Sequence, residues 1–199
     1  MNKTRWIMLL AALIVLLAGG GWYINGRMEA QEEAASSGEV LIGGPFRLTN
    51  QNGESVTEQN FQGKFMLVYF GYTFCPDVCP TELQIMTSAL GELGTDASNV
   101  VPIFVTVDPE HDTVAVMADY VKHFSPRLVG LTGTAEQIAA AAKAYRVFYQ
   151  KVTDDSATGG YSMDHSSIIY LMGPDGRFIE HFGPGTTPEQ MAAGIRKYL

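Results

Sequence analysis

The sequence predicts one α/β domain, a mixed central sheet flanked by helices, preceded by an N-terminal transmembrane helix. Three observations carry this. Beyond residue 40, apolar runs of strand length alternate with stretches of helical periodicity, in the order β-α-β-α-β-α-β-β-α. Residues 6–24 are apolar or glycine throughout, 19 residues that match a helix crossing a ~30 Å hydrocarbon core. Between the two lies a short polar, acidic, small-residue stretch ending in Glu33-Ala34-Ala35-Ser36-Ser37-Gly38, which reads as a tether.

The chain of 199 residues therefore divides into a cytoplasmic N-terminus (1–5), an anchor (6–24), a linker (25–39) and a domain (40–199). Lys3 and Arg5 precede the apolar run, and Glu29, Glu32 and Glu33 follow it. The positive-inside bias places the domain on the extracytoplasmic side, in a periplasm or equivalent compartment, and Arg27 weakens the asymmetry without reversing it. A cleaved signal peptide is the alternative, with Ala18-Gly19-Gly20 as a poor cleavage site. The run is longer than a usual signal core, and Trp22 and Tyr23 suit a membrane interface. Beyond residue 28 the chain carries ten basic and 21 acidic residues, a formal charge of −11, which argues against nucleic acid or anionic lipid as a partner.

Within the domain, Phe46-Arg47-Leu48 alternates and runs into Asn50-Gln51-Asn52-Gly53, a hairpin turn. Residues 65–70 form a continuous apolar run, as a strand covered on both faces requires. Leu83, Met86, Leu90 and Leu93 then recur at helical spacing. Residues 100–107 make a second buried strand ending at Asp108-Pro109. A helix over 113–124 follows, with Val114, Met117, Tyr120, Val121 and Phe124 as its apolar stripe, then a short strand over 128–131. Thr134 and Gln137 have capping-box spacing ahead of an alanine-rich helix running to about residue 145. A strand is expected over 147–152, a polar loop over 153–160, and a buried strand over 167–172. Pro174-Asp175-Gly176 turns that strand into its returning partner at 177–182. Thr187-Pro188-Glu189-Gln190 opens the last helix.

The two cysteines, Cys75 and Cys79, lie in Gly71-Tyr72-Thr73-Phe74-Cys75-Pro76-Asp77-Val78-Cys79-Pro80, where a buried strand hands over to a helix. A strand, a loop with two cysteines and a helix is the thioredoxin arrangement. With Val78 and Cys79 in the first turn, both sulfurs come to one side, and the free N–H groups of a helix N-terminus favour thiolate. Such a pair is set either to hold a soft metal or to form a disulfide. A purely structural disulfide is the plain alternative for an exported protein, but a loop this short constrains the unfolded chain weakly. Two inert core cysteines are a further alternative, against which stand the turn residues Pro76, Asp77 and Pro80.

Three blocks carry a resemblance. The Tyr72–Pro80 segment resembles the signature of the SCO/SenC family, copper proteins implicated in assembling cytochrome c oxidase. Thr106-Val107-Asp108-Pro109-Glu110-His111-Asp112-Thr113 is similar to a second family block. Met163-Asp164-His165-Ser166-Ser167 followed by residues 170–176 is similar to a third. The resemblance covers residues 40–199 in the right order, and the N-terminal anchor is typical of the family. It implies a thioredoxin-like fold and a metal site of Cys75, Cys79 and His165, with copper as the ion. Two thiolates and an imidazole form a soft three-coordinate set suited to Cu(I) and able to accept Cu(II), whereas structural zinc asks for four ligands. The resemblance also implies a partner, the copper-bearing subunit of cytochrome c oxidase, with other copper chaperones or thioredoxin-like reductases as further partners.

Two features depart from a thioredoxin oxidoreductase: the spacing is Cys-X3-Cys, and His165 stands where thioredoxins carry a cis-proline facing the cysteines. Asp164 reads as an orienting or structural neighbour of His165, with a weak extra oxygen ligand as the alternative that Cu(I) disfavours, and Met163 as a residue able to approach the metal. His111, His123 and His181 read as surface or packed histidines, and Asp108 and Asp112 as turn and cap residues. Three functions remain open at this level. They are copper metallochaperone, thiol-disulfide oxidoreductase using Cys75 and Cys79 as its redox pair, and, more weakly, a peroxidase suggested by Thr73 and Cys75. The position of Cys79 does not suit a peroxidase's resolving cysteine.

Overall fold

The structure, a computed structural model, describes residues 42–154 and 160–199. The expected anchor (6–24) and linker (25–39) lie outside the described residues, and among the described residues no helix is long and apolar enough to cross a membrane.

The chain opens with a hairpin of β1 (Arg47–Asn50) and β2 (Ser55–Thr57). The Asn50 side-chain oxygen accepts the N–H groups of Asn52 and Glu54, and Gly53 takes a φ of 81°, so the anticipated Asn-Gly turn forms for the expected chemical reason. Next come β3 (Phe65–Gly71), α1 (Val78–Leu93), β4 (Val100–Thr106), α2 (Val114–Val121), β5 (Val129–Thr132) and α3 (Ala135–Ala144). The chain closes with β6 (Tyr149–Thr153), β7 (Tyr161–His165), β8 (Ile169–Met172), β9 (Phe178–Phe182) and α4 (Pro188–Arg196).

Seven strands form the main sheet in the order β2-β1-β5-β4-β3-β8-β9. Strands β3, β4 and β5 are parallel, and antiparallel hairpins complete both edges, so the expected mixed sheet forms. Central β3 is buried at every residue, which accounts for its unbroken apolar run. Neighbours along a strand face opposite ways, and this sets helices on both faces. Phe70 packs on Tyr145 at the end of α3, while Tyr69 stacks on Phe104, whose other neighbour is Tyr120 of α2. Helices α1 and α4 pack on each other.

Helix starts follow the caps legible in the sequence: Thr134 with Gln137, and Thr187 with Gln190, close complete capping boxes. Helix α2 ends three residues short of the expected boundary, at Val121, although Phe124 still packs on Tyr120. The largest departure is the region after α3. The strand expected at 147–152 begins at Tyr149 and stands outside the main sheet. Among the described residues its only strand partner is β7, in which Tyr149 pairs with His165 and Thr153 with Tyr161. In Tyr149-Gln150-Lys151-Val152-Thr153 only Tyr149 and Val152 are half-buried and the other three residues are exposed, as suits a hairpin on the surface.

Candidate metal centre

The site forms where β3 ends. Cys79 is the second residue of α1 and fully buried, while Cys75 sits in the preceding loop, half-buried. Asp77 at the cap position makes no side-chain capping bond. Instead the Cys79 N–H donates to Cys75 Sγ at 3.3 Å, so a sulfur takes the part that a Ser or Asp oxygen usually plays at a helix N-terminus. Gly71 makes room for the second sulfur: a Cβ at this position would stand 2.8 Å from Cys79 Sγ and 3.0 Å from the Phe104 ring. Both cysteines are free.

His165 arrives from β7, whose alternation puts it on the same face as Tyr161 and Met163 and puts Asp164 on the other. Two tyrosine rings hold the imidazole edge-on, Tyr69 at 6.1 Å and Tyr72 at 5.9 Å between centroids. Its Nδ1 lies 3.2 Å from the Ser166 carbonyl. A carbonyl only accepts, so Nδ1 carries the proton and Nε2 presents its lone pair to Cys79 Sγ, 3.4 Å away. This is the tautomer a metal at Nε2 requires. The donor atoms of Cys75, Cys79 and His165 all lie within 4.8 Å of one another, and no fourth His, Cys, Asp or Glu among the described residues joins them. The donor set is therefore soft and three-membered, poorly matched to a closed tetrahedral zinc site and well matched to a softer ion. An open cleft of about 350 Å³, lined by Tyr72, Cys75, Pro76, Met163, Asp164 and His165, leads to it.

The two sulfurs differ electrostatically. The Cys79 thiol, followed by the His165 imidazole and the N–H groups of Cys79 and Asp77, holds the Cys75 thiol down to about 3 against the opposing effect of burial. The same coupling to Cys75, reinforced by burial, pushes Cys79 far up. In the metal-free pair Cys75 is the thiolate and Cys79 keeps the shared proton.

Several neighbouring residues do more, or other, than their sequence context suggests. Asp164 does not orient His165; its side chain is exposed, and the Ser166 carbonyl performs that task. Met163 is buried and lines the cleft, as its place two residues before His165 suggested. His123 and His181 are exposed, the latter stacked on Phe178. His111 is not a free surface histidine: its Nδ1 bonds Asp108 and Tyr161, and Phe74 meets its ring edge-on.

Asp112 does not cap α2, a task that falls to Thr113. It is wholly buried and accepts the Thr73 N–H (3.0 Å), the Thr73 hydroxyl (2.6 Å) and the Thr106 hydroxyl (2.5 Å). Burial raises its carboxyl above the ordinary range, and these donors oppose the rise. Asp108 is a turn residue in its backbone, but its buried carboxylate also accepts from the Tyr161 hydroxyl. Neither role has a local signal; the one pointer was their place in a block that resembles a family motif.

Comparison with known proteins places this geometry. The SCO1/SenC family model matches residues 34–199. The chain belongs to the SCO1/SenC family. It is 43% identical over 171 residues to the human "Protein SCO1 homolog, mitochondrial", covering 85% of this chain and 56% of that one. It spans about half the length of the curated relatives it matches. Among solved structures it is similar to Bradyrhizobium japonicum ScoI with copper bound, at 49% identity and a TM-score of 0.73, covering 79% of this chain and 99% of the other. It is also similar to copper-bound Arabidopsis thaliana ScoI, at 43% identity and a TM-score of 0.74, covering 79% and 97%. The mixed sheet with its strand-loop-helix cysteine site is thus the thioredoxin-like fold of the SCO structures.

Proposed function

We propose that this SCO1/SenC protein binds one copper ion through Cys75, Cys79 and His165 and delivers it to the copper-bearing subunit of cytochrome c oxidase. One observation carries the reading: three soft donors converge within 4.8 Å, with His165 already in the tautomer that frees Nε2. Copper-bound relatives of similar fold support the choice of ion. Three ligands leave an ion open to an incoming thiolate or imidazole, and half-buried Cys75 beside the cleft gives that newcomer its approach. Buried Cys79 and ring-packed His165 hold the far side of the site. The supporting arrangement has residues 6–24 as a membrane anchor, 25–39 as a tether, and the domain from residue 40 on the extracytoplasmic side. Copper titration of the reduced protein tests the site, with one equivalent expected and none after oxidation of the cysteines. Transfer to an apo oxidase copper domain tests the role; a protein that binds copper but never releases it to that acceptor is not a chaperone for it.

The asymmetry of the cysteines favours a second reading, reduction of the disulfide of an oxidised oxidase copper site. Cys75 thiolate attacks one sulfur of the target disulfide and the other leaves as thiolate. Cys79 gives up its proton and attacks Cys75 Sγ, releasing the reduced target dithiol and leaving a Cys75–Cys79 disulfide. A thioredoxin-like reductase would then restore the pair. Stoichiometric appearance of target thiols with loss of both protein thiols supports this step, and a trapped target complex in Cys79→Ser identifies Cys75 as the attacking group.

A further inference from the structure

Among the described residues, the β6–β7 hairpin that carries His165 shares no ladder with the main sheet, from whose β3 the cysteine loop runs on. The nearest main-sheet ladder on this side is that of β8 with β3, which holds the chain from Ile169, four residues beyond His165, so side-chain contacts share in setting the distance between the imidazole and the two sulfurs. The connection from β4 to α2, residues 107–113, supplies none of the donors yet grips both halves of the site. At one end, Asp112 accepts the N–H and hydroxyl of Thr73, two residues before Cys75. At the other, Asp108 accepts the hydroxyl of Tyr161 at 2.7 Å, on the same face of β7 as His165.

The two aspartates are also tied to each other and to the sheet, in part through their backbone groups. The Thr106 hydroxyl donates to Asp112 and accepts the Asp108 N–H, and the Thr132 hydroxyl of β5 donates to the Asp112 carbonyl. Around the outer end, His111 bonds Asp108, and Lys151 of β6 lies 3.8 Å from the Tyr161 ring centroid while pairing with Glu110 at 3.0 Å. Both aspartates are buried, so each donor they hold is expensive to lose.

We propose that Asp108 and Asp112 are positioning residues of the metal centre, one fixing the histidine hairpin through Tyr161 and the other the cysteine loop through Thr73. The inference rests on the copper-site reading for its purpose, but its geometry is testable in the metal-free protein. Tyr161→Phe removes one oxygen and keeps the ring under Lys151, so the variant is expected to fold. Asp108→Asn tests the acceptor, and Thr73→Val tests the other half.

The measurements are amide exchange of residues 149–153 and 161–165 without metal, the reduction potential of the Cys75–Cys79 pair, and Cu(I) affinity by chelator competition. In Tyr161→Phe and Asp108→Asn, exchange in the hairpin should quicken roughly tenfold relative to β3 and β4. Cu(I) affinity should fall about 10–100-fold, as for other groups that orient ligands, with the thiol potential unchanged. Thr73→Val should give the converse, a shifted thiol potential with hairpin exchange at the wild-type rate. The proposal is overturned if hairpin exchange in Tyr161→Phe matches wild type, or if it quickens equally in every strand of the main sheet, since the cluster would then serve general stability. Copper binding that fails in the wild type itself would instead overturn the copper reading and leave the exchange result to decide the clamp.

Discussion

His165 Nε2 stands 3.4 Å from Cys79 Sγ, although 86 residues separate them along the chain. The Ser166 carbonyl fixes the ring's tautomer, and Tyr69 and Tyr72 fix its plane. The metal-free site thus already offers an incoming ion the Nε2 lone pair, and a single thiol proton, the one on Cys79, is left to displace.

Removing the imidazole separates the two proposed activities. His165→Ala is expected to weaken Cu(I) binding by more than the roughly 10–100-fold typical of changes outside the ligand set, while thiol-disulfide exchange stays near wild type. Chelator competition and a disulfide-reduction assay on the same preparation provide the two readings. Unchanged copper affinity would mean that the two cysteines alone hold the ion.

The thiol pair should show its asymmetry in alkylation. Because Cys75 is held down to about 3, its reaction with iodoacetamide should be nearly independent of pH between about pH 5 and 8, where an ordinary thiol speeds up about tenfold per unit. Cys79, buried and pushed up, should remain unmodified in the folded protein. Since the Cys79 thiol is the main cause of the low value, Cys79→Ala should restore pH dependence at Cys75. A steep profile in the wild type would refute the assignment of the thiolate.

Gly71 has a β-strand backbone that any residue adopts, so its cost of substitution is purely one of space. Gly71→Ala places a methyl against Cys79 Sγ and Phe104 and should destabilise the metal-free fold by about 1–3 kcal/mol. Denaturant midpoints check the stability, and copper affinity should fall as the sulfur shifts. A variant with both properties intact would show that the sulfur is free to move.

Glu82 on α1 is buried and has no hydrogen-bond or ion-pair partner among the described residues, and burial raises its carboxyl above the ordinary value of 4.5. The folded state therefore holds this proton more tightly than the unfolded chain does. The resulting contribution to stability is full below the unfolded value and is lost as pH rises through the folded one. Glu82→Gln should accordingly be more stable than wild type at pH 7 and decline less from pH 4.5 upward. Parallel stability-against-pH curves for the two proteins would contradict this.

The sequence by itself determined the elements whose causes are local. The unbroken apolar run of β3, the Asn50–Gly53 turn, the capping boxes at Thr134 and Thr187, and the cysteine pair at a strand-to-helix junction each follow from neighbours within a few residues. Resemblance to family blocks added His165, whose own surroundings in the chain carry no ligand signal. Tertiary structure alone decided what depends on distant contacts. It moved β6 out of the main sheet to pair with β7, gave the orienting of His165 to the Ser166 carbonyl instead of Asp164, and buried Asp108 and Asp112 among donors from Thr73, Thr106 and Tyr161. The physical reason is one of range: caps and turns are closed by atoms a few bonds away, whereas a buried carboxylate is defined by donors that only folding brings to it. The two cysteines are thus readable as a pair from the chain, and the three-donor site exists only where the hairpin meets the end of β3.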